Sequence, residues 1–535
     1  MPLAGPPLAS PVDLNRILEQ GLAGDPDATA LISLEISWTW QELEDDSSRL
    51  AGNLLDLGLK PGDRAATLMH NRCGAIVFYL ACIKAGLVAT PLAYRSRPED
   101  IDEALAVSGA SILLANRERA ADIAASRQAS KLPFGIIAFG QGALSGTSFD
   151  TLLEKEPETT AFPLRLANSL AALFLTRDAA GHIEGITHSI GSLGWNSASV
   201  AAGFGLTPAD VILTGGSIAH IAGLTQSLAA LASGARVAIA RNNDPDEILP
   251  LLRAEQPTVA YLLPAVLYRL IRDHDAVAKD FASIRLLTCG GDKAPIALRR
   301  RFEETTGQVL REHYALTETG PVTLNAGPQA RSAGSIGTLL PGVEAEIRDP
   351  AGTALPLPGS VGRLWLKSGS LSPGYWQSDE AFTPLGPDGW IDSGDLMTFD
   401  ASGCLWHAGP KSNFVVHDNP NIVPDEIEKV LMQFPGVAAA GAVGVRDLAR
   451  GEKVQAYVAL EPNTEPPTEQ DLIAFTRSHI GFKAPEQIVF LDNLPRGQEG
   501  SSDRTYLKAL AECALLDDNA VQQHLTQAHA LDSTS

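Results

Sequence analysis

Leu173-Phe174-Leu175-Thr176-Arg177-Asp178-Ala179-Ala180-Gly181-His182-Ile183-Glu184-Gly185-Ile186-Thr187-His188-Ser189 starts as an apolar strand and breaks at Thr176 into a polar, glycine-bearing turn. The strand, Ala171–Leu175, is one of a series. Ala65–Met69, Ser111–Ala115, Gly135–Ala138, Val211–Thr214, Arg236–Ala240, Thr258–Leu263 and Ile284–Thr288 are also short and apolar, with helical stretches between them. Such alternation predicts an α/β fold, a mainly parallel sheet covered by helices. Ala75–Leu92 is the most apolar stretch, but it carries Lys84 and reads as a buried helix running into a strand, so no membrane span is expected.

Beyond Gly320 the texture changes. Short strands broken by glycine and proline, at Gly334–Gly337, Pro341–Glu344, Gly359–Trp365 and Gly374–Trp376, predict a β-rich subdomain closing the large domain. Past Gly409-Pro410 a compact α+β segment follows: helix Pro424–Gln433, strands near Val437–Val445 and Lys453–Leu460, helix Glu469–His479. The expected organisation is a large N-terminal domain over 1–409, a small C-terminal α+β domain over 410–520 and a polar tail over 521–535. A chain of 535 residues is too long for one core.

Sixty-three acidic against 41 basic residues give a net charge of −22, which argues against nucleic acid or an anionic membrane as partner, since both need a basic face. Five cysteines without CxxC spacing read as reduced thiols. With no basic, apolar leader at Met1–Pro7, they predict a cytoplasmic protein.

From Leu14 to Leu510 the chain resembles the adenylate-forming enzymes: acyl- and aryl-CoA ligases, luciferase and peptide-synthetase adenylation domains. Leu173–Ser189 stands where that family carries TSGTTGxPKGVxHS, with Thr176, Gly181, Gly185, His188 and Ser189 in place. Thr288-Cys-Gly-Gly-Asp-Lys-Ala-Pro295 is similar to the glycine-rich turn that holds adenine, and assigns Gly290, Gly291 and Asp292 to it. A strand ending in paired glycines lets a flat base approach the backbone. His313-Tyr-Ala-Leu-Thr-Glu318 resembles YGxTE. The resemblance implies Tyr314 stacked on adenine, the Thr317 hydroxyl on the α-phosphate, and Glu318 as the Mg²⁺ carboxylate. Gly389-Trp-Ile-Asp-Ser-Gly-Asp395 resembles GWxxTGD, whose last aspartate receives the two ribose hydroxyls from a strand end, one per carboxylate oxygen. Ile218–Leu224 resembles PLFHxxGL and places His220 near the acyl pocket. No aspartate-bearing element for an α-amino group is seen, so a simple carboxylic acid fits better than an amino acid. Pocket-lining positions are expected between Ile218 and Ser227 and around Gly290–Asn325. Asn421–Glu428 matches NIxPxEIE, the helix entry of the small, mobile lid.

The implied activity is that of an AMP-forming acid–thiol ligase. ATP and an acid give an acyl-adenylate, and coenzyme A or a carrier protein's pantetheine displaces AMP. Four departures touch that chemistry. The turn at Thr176–Gly185 has lost three hydroxyl residues, a glycine and the lysine, and gained Asp178 and Glu184. Two unit charges about 4 Å apart interact by roughly 4 kcal/mol at an effective dielectric near 20. Exchanging lysine for glutamate should therefore weaken triphosphate binding by roughly tenfold or more. PRTxSGK appears as Pro495-Arg-Gly-Gln-Glu-Gly-Ser501, without the lysine that neutralises charge at the reacting centre. The hinge GRxKD appears as Gly409-Pro-Lys-Ser-Asn413, where proline fixes φ. RGGEN appears as His417-Asp-Asn-Pro-Asn421. Three outcomes stay open: a slow ligase, a non-adenylating scaffold or sensor, and an enzyme that starts from a preformed acyl-adenylate or thioester.

Overall fold

The computed structural model describes residues 2–177, 182–241, 244–290, 296–326, 335–349, 351–378, 381–383, 385–407, 415–416, 421–422, 424–447, 451–461, 466–491, 493–495 and 504–513. The chain divides into two compact units, the first running through Pro410 and the second starting at Lys411.

Two sheets organise the large unit. The first contains the parallel strands Arg64–Leu68, Val88–Pro91, Ile112–Asn116, Ile136–Phe139 and Thr147–Ser148. Helix α1 (Pro98–Ser108) connects two of them. Proline in its first turn, Glu99 and Asp100 at its positive end, and Gly109 at φ 60° beyond its last turn set its limits. The sheet continues through strand β1 (Leu170–Arg177), parallel to Val88–Pro91, and β2 (Ile183–Ser189), antiparallel to β1. Helix α2 (Ile190–Phe204) leaves β2 with Ser189 as its cap, the Ser189 Oγ accepting from the Ser192 N–H at 3.0 Å.

A second sheet carries the parallel strands Val211–Thr214, Arg236–Ile239, Val259–Tyr261, Leu286–Cys289 and Arg311–Glu312, extended by Thr29–Ile32. Helix α3 (Ile221–Ala232) packs on it and on α2. The short strand β3 (Gly320–Pro321) touches both helices. The first sheet closes with a segment from far along the chain: β4 (Tyr375–Ser378) pairs antiparallel with β2, Tyr375 opposite Ile186. The predicted β-rich subdomain is an antiparallel sheet of Leu3–Ala4, Val343–Arg348, Gly362–Ser368, β5 (Ile391–Phe399) and Leu405–His407.

Apolar runs buried on both faces account for the parallel strands. Helix Cys73–Ala85, buried nearly all round, is the helix expected from its composition, and Val88–Pro91 is the strand it feeds. Cys73, Cys82, Cys289 and Cys404 are buried thiols, outside any disulfide. The small unit pairs strands Val437–Asp447, Gly451–Leu460 and Gln487–Phe490 with helices Pro424–Leu431, Glu469–Ile480 and Arg504–Cys513. Among the described residues no helix is long and apolar enough to cross a membrane.

Candidate functional site

The turn that opens the sequence reading is narrower than expected. Strand pairing holds Arg177 opposite Ile183, Thr176 opposite Glu184 and Leu175 opposite Gly185. Much of the stretch read as a loop is therefore β-ladder. Gly185 is explained by packing, since a Cβ there would lie 2.9 Å from both the Leu173 side chain and the Trp376 Cβ. Asp178 and Gly181 at the tip lie outside the described residues.

Carboxylates of α1 already hold the donors beside that turn. Arg177 Nη2 donates to Asp100 Oδ1 at 2.8 Å and its Nη1 to Glu103 Oε2 at 3.3 Å. The Ile183 N–H donates to Glu103 Oε1 at 3.1 Å. A phosphate loop works by presenting a cation and backbone N–H groups to its ligand. Here a guanidinium and an N–H are spent on the protein's own acids.

Glu184, Ile186 and His188 share one face of β2 by the two-residue period of a strand. Across from them, Tyr375 donates its hydroxyl to Glu318 Oε1 at 3.2 Å. Burial, then the Glu318 and Glu184 charges, hold the Tyr375 proton above the usual phenol range. Burial also raises the Glu318 carboxyl above its ordinary value. Thr317 is held through its main chain: its carbonyl accepts from His188 Nε2 at 2.8 Å, while His188 Nδ1 faces Ser192 Oγ at 3.1 Å. The Thr317 hydroxyl makes no hydrogen bond within the described residues and stays available.

Tyr314 donates its hydroxyl to Asp395 Oδ2 at 2.5 Å, and its ring meets the His407 ring edge-on with centroids 6.1 Å apart. Burial and the Asp395 carboxylate hold its proton well above the phenol range. Asp395 Oδ1 has no partner among the described residues. The expectation of an aspartate at a strand end needs correction: Asp395 lies in the middle of β5. Gly290 follows strand Leu286–Cys289 as expected, but the group against it is the protein's own His313, whose ring a Cβ at 290 would meet at 2.7 Å. Gly291 and Asp292 lie outside the described residues, as do Pro410, Asn413, His417–Pro420 and Ser501. His220 caps the start of α3. It is half-buried, makes no side-chain hydrogen bond among the described residues, and is held neutral by burial.

Among the described residues Asp395 thus keeps one uncommitted carboxylate oxygen and Thr317 its hydroxyl. Among the described residues no three His, Cys, Asp or Glu side chains gather as a metal cluster. A Mg²⁺ here would rest on Glu318 and otherwise keep water or phosphate oxygens.

Residues 18–376 match the family model of the AMP-binding enzyme, and 426–501 match that of the AMP-binding enzyme C-terminal domain. The chain belongs to the AMP-binding enzyme family. A feruloyl-CoA synthase of an Amycolatopsis species is 29% identical to this protein over 89% of the chain and 94% of the relative. An indoleacetate–CoA ligase of Aromatoleum aromaticum is 28% identical over 91% and 95%. The amide bond synthetase McbA of Marinactinospora thermotolerans superposes with a TM-score of 0.80 at 25% identity, covering 92% of this chain and 99% of that one. The fold expected from sequence, a large N-terminal α/β domain and a small C-terminal one, is the fold of these adenylate-forming relatives.

Sequence reasoning missed Asp100, Glu103, Tyr375 and the bracing role of His188. His188 also sets a pH dependence. It is fully buried, and burial lowers its pKa from 6.5 to about 4. Because the folded value is depressed, its stabilising contribution is complete above pH 6.5 and is lost as pH falls toward 4. The amount is about 3 kcal/mol. Denaturant titrations at pH 7.5, 5.5 and 4.5 should show stability falling in this window, with a shallower slope in His188→Gln. An unchanged slope would mean that His188 does not titrate there.

Proposed function

We propose that this AMP-binding enzyme is an acyl- or aryl-CoA ligase homologue that takes a carboxylic acid and an adenosine monophosphate moiety, with ATP-dependent adenylation impaired. The observation that carries this is the contrast between two ends of one site. Asp395 Oδ1 and the Thr317 hydroxyl are uncommitted, whereas Arg177 and the Ile183 N–H are held by Asp100 and Glu103. Glu184 adds a like charge on the triphosphate side, where Coulomb repulsion in a partly buried site opposes phosphate oxygens. The relatives' names, feruloyl-CoA synthase and indoleacetate–CoA ligase, support an aryl acid and coenzyme A as the substrate pair. A carrier protein's pantetheine remains the other thiol acceptor, and the cytoplasm the proposed compartment.

In this reading Asp395 orients the ribose, Tyr314 braces Asp395, Thr317 donates to the α-phosphate, and His220 lies beside the acid. The same contrast favours a second reading, use of a preformed acyl-adenylate or thioester, which needs no triphosphate grip. Calorimetry with AMP and ATP, beside pyrophosphate release across a panel of acids, tests both. The expected result is AMP bound at least as tightly as ATP and little pyrophosphate release with any acid. ATP bound more than tenfold tighter than AMP, or robust release with one acid, would overturn the impairment.

A further inference from the structure

Strands Val343–Arg348 and Gly362–Ser368 of the antiparallel sheet alternate buried residues with polar ones, so the polar set shares the face turned from the core. Charges on that face are neutralised in pairs. Arg348 Nη2 stands 2.8 Å from Glu346 Oε2, and Arg363 Nε 2.9 Å from Asp392 Oδ2. Glu344 and Lys367 depart from this pattern. They sit directly opposite each other in the ladder, yet among the described residues neither forms an ion pair or a side-chain hydrogen bond. Opposite partners in an antiparallel pair have Cβ atoms about 5 Å apart, close enough for unlike charges to join.

Both residues line one cavity of about 410 Å³, together with Leu371, Leu385 and Trp390. That volume falls within the roughly 300–1,000 Å³ of small-molecule sites. Every one of these five side chains is half-buried, so the charges are partly withdrawn from water while still reachable. The Lys367 ammonium lies 5.8 Å from the centre of the Trp390 ring, which holds the cation against an aromatic wall. At Gly389 an added Cβ would meet nothing nearer than Lys367 Cε at 3.9 Å, so this wall is open, not packed. Asp395 follows Trp390 by five positions, roughly 16 Å along an extended strand, which separates the cavity from the oxygen assigned to ribose.

We propose that this cavity binds a free α-amino acid with an apolar or aromatic side chain. Its carboxylate meets Lys367, its ammonium meets Glu344, and its side chain lies against Trp390, Leu371 and Leu385. A zwitterion that carries both charges on one carbon matches a lysine and a glutamate held side by side, and each contact is a charge-assisted hydrogen bond. A simple carboxylate would meet the like charge of Glu344, and a simple amine that of Lys367, so neither fits as well. The acid that the nucleoside site takes is therefore not the occupant here. The site is a second one, for an effector.

Calorimetry on the full chain tests this with L-leucine, L-phenylalanine and L-tryptophan, each beside its amide, which lacks the carboxylate charge, and its N-acetyl form, which lacks the ammonium. At least one free amino acid should bind tenfold or more tightly than both of its derivatives, and saturating AMP should not displace it. In Lys367→Gln the advantage over the amide should fall within threefold, and in Glu344→Gln the advantage over the N-acetyl form should do so. Both variants should melt near wild type. Failure of every free amino acid to bind the wild type at millimolar concentration would overturn the inference. So would displacement by AMP, or advantages that persist in the folded variants. None of these results bears on the functional proposal, whose own test uses AMP, ATP and pyrophosphate release.

Discussion

Asp395→Ala should lower AMP affinity by roughly 10²-fold or more, the largest loss from any single change in the site. Each hydrogen bond to a charged acceptor contributes about 1.5–3 kcal/mol, so two ribose hydroxyls on one carboxylate correspond to roughly 10²–10⁴. The lower figure applies, because Oδ2 already accepts the Tyr314 hydroxyl and only Oδ1 is uncommitted. Removing the carboxylate also leaves that phenol without its acceptor. Asp395→Asn, which keeps an oxygen in place and loses only the charge, separates a binding effect from a folding one. Calorimetry with AMP should rank wild type above Asn above Ala, with the Asn variant melting near wild type. A change of less than threefold in a folded Ala variant would show that the ribose is held elsewhere.

The second large effect is a gain. Glu184→Lys combined with Ser501→Lys should raise acid-dependent pyrophosphate release by roughly 10²-fold or more. Reversing the charge at 184 turns repulsion of phosphate into attraction, worth tenfold or more in affinity by the Coulomb arithmetic for a partly buried site. By the sequence resemblance, position 501 is where the family carries the lysine that neutralises charge, and the substitution restores a cation to that position. Electrostatic donors aimed at developing charge typically contribute roughly 10²–10³ in rate. The Glu103 carboxylate still occupies the Ile183 N–H in this variant, so adding Glu103→Gln should raise release further. Unchanged release from a folded double variant would refute the charge account of the proposed impairment.

How much of this was legible in the chain follows from range. The parallel strands were readable because burial on both faces forces apolar runs, and Val211–Thr214 is bounded as its composition implied. Tyr314, Thr317, Glu318 and Asp395 were readable because they sit in short contiguous motifs. Asp100 and Glu103 were not: they belong to an ordinary amphipathic helix and meet Arg177 and Ile183 across sequence separations of 74–80 positions. Tyr375 reaches Glu318 across 57 positions. Gly185 was legible as a glycine but not for its reason, since Trp376 is the neighbour that excludes a side chain. At Gly290 too the neighbour was not legible, because no local pattern announces that His313 will lie against it.

The pairing of β2 with β4 bears on how the molecule is made. Until Tyr375 has been synthesised, β2 is an open sheet edge carrying apolar Ile183 and Ile186, and Trp376, whose indole N–H donates to the Val107 carbonyl at 3.0 Å, is missing from its place. An unpaired edge of that kind is an aggregation hazard on the ribosome and in any shortened chain. Fragments that stop before Gly374 should precipitate where fragments that include Thr383 do not, so the phosphate-side hairpin and its distant partner strand form a single unit of manufacture.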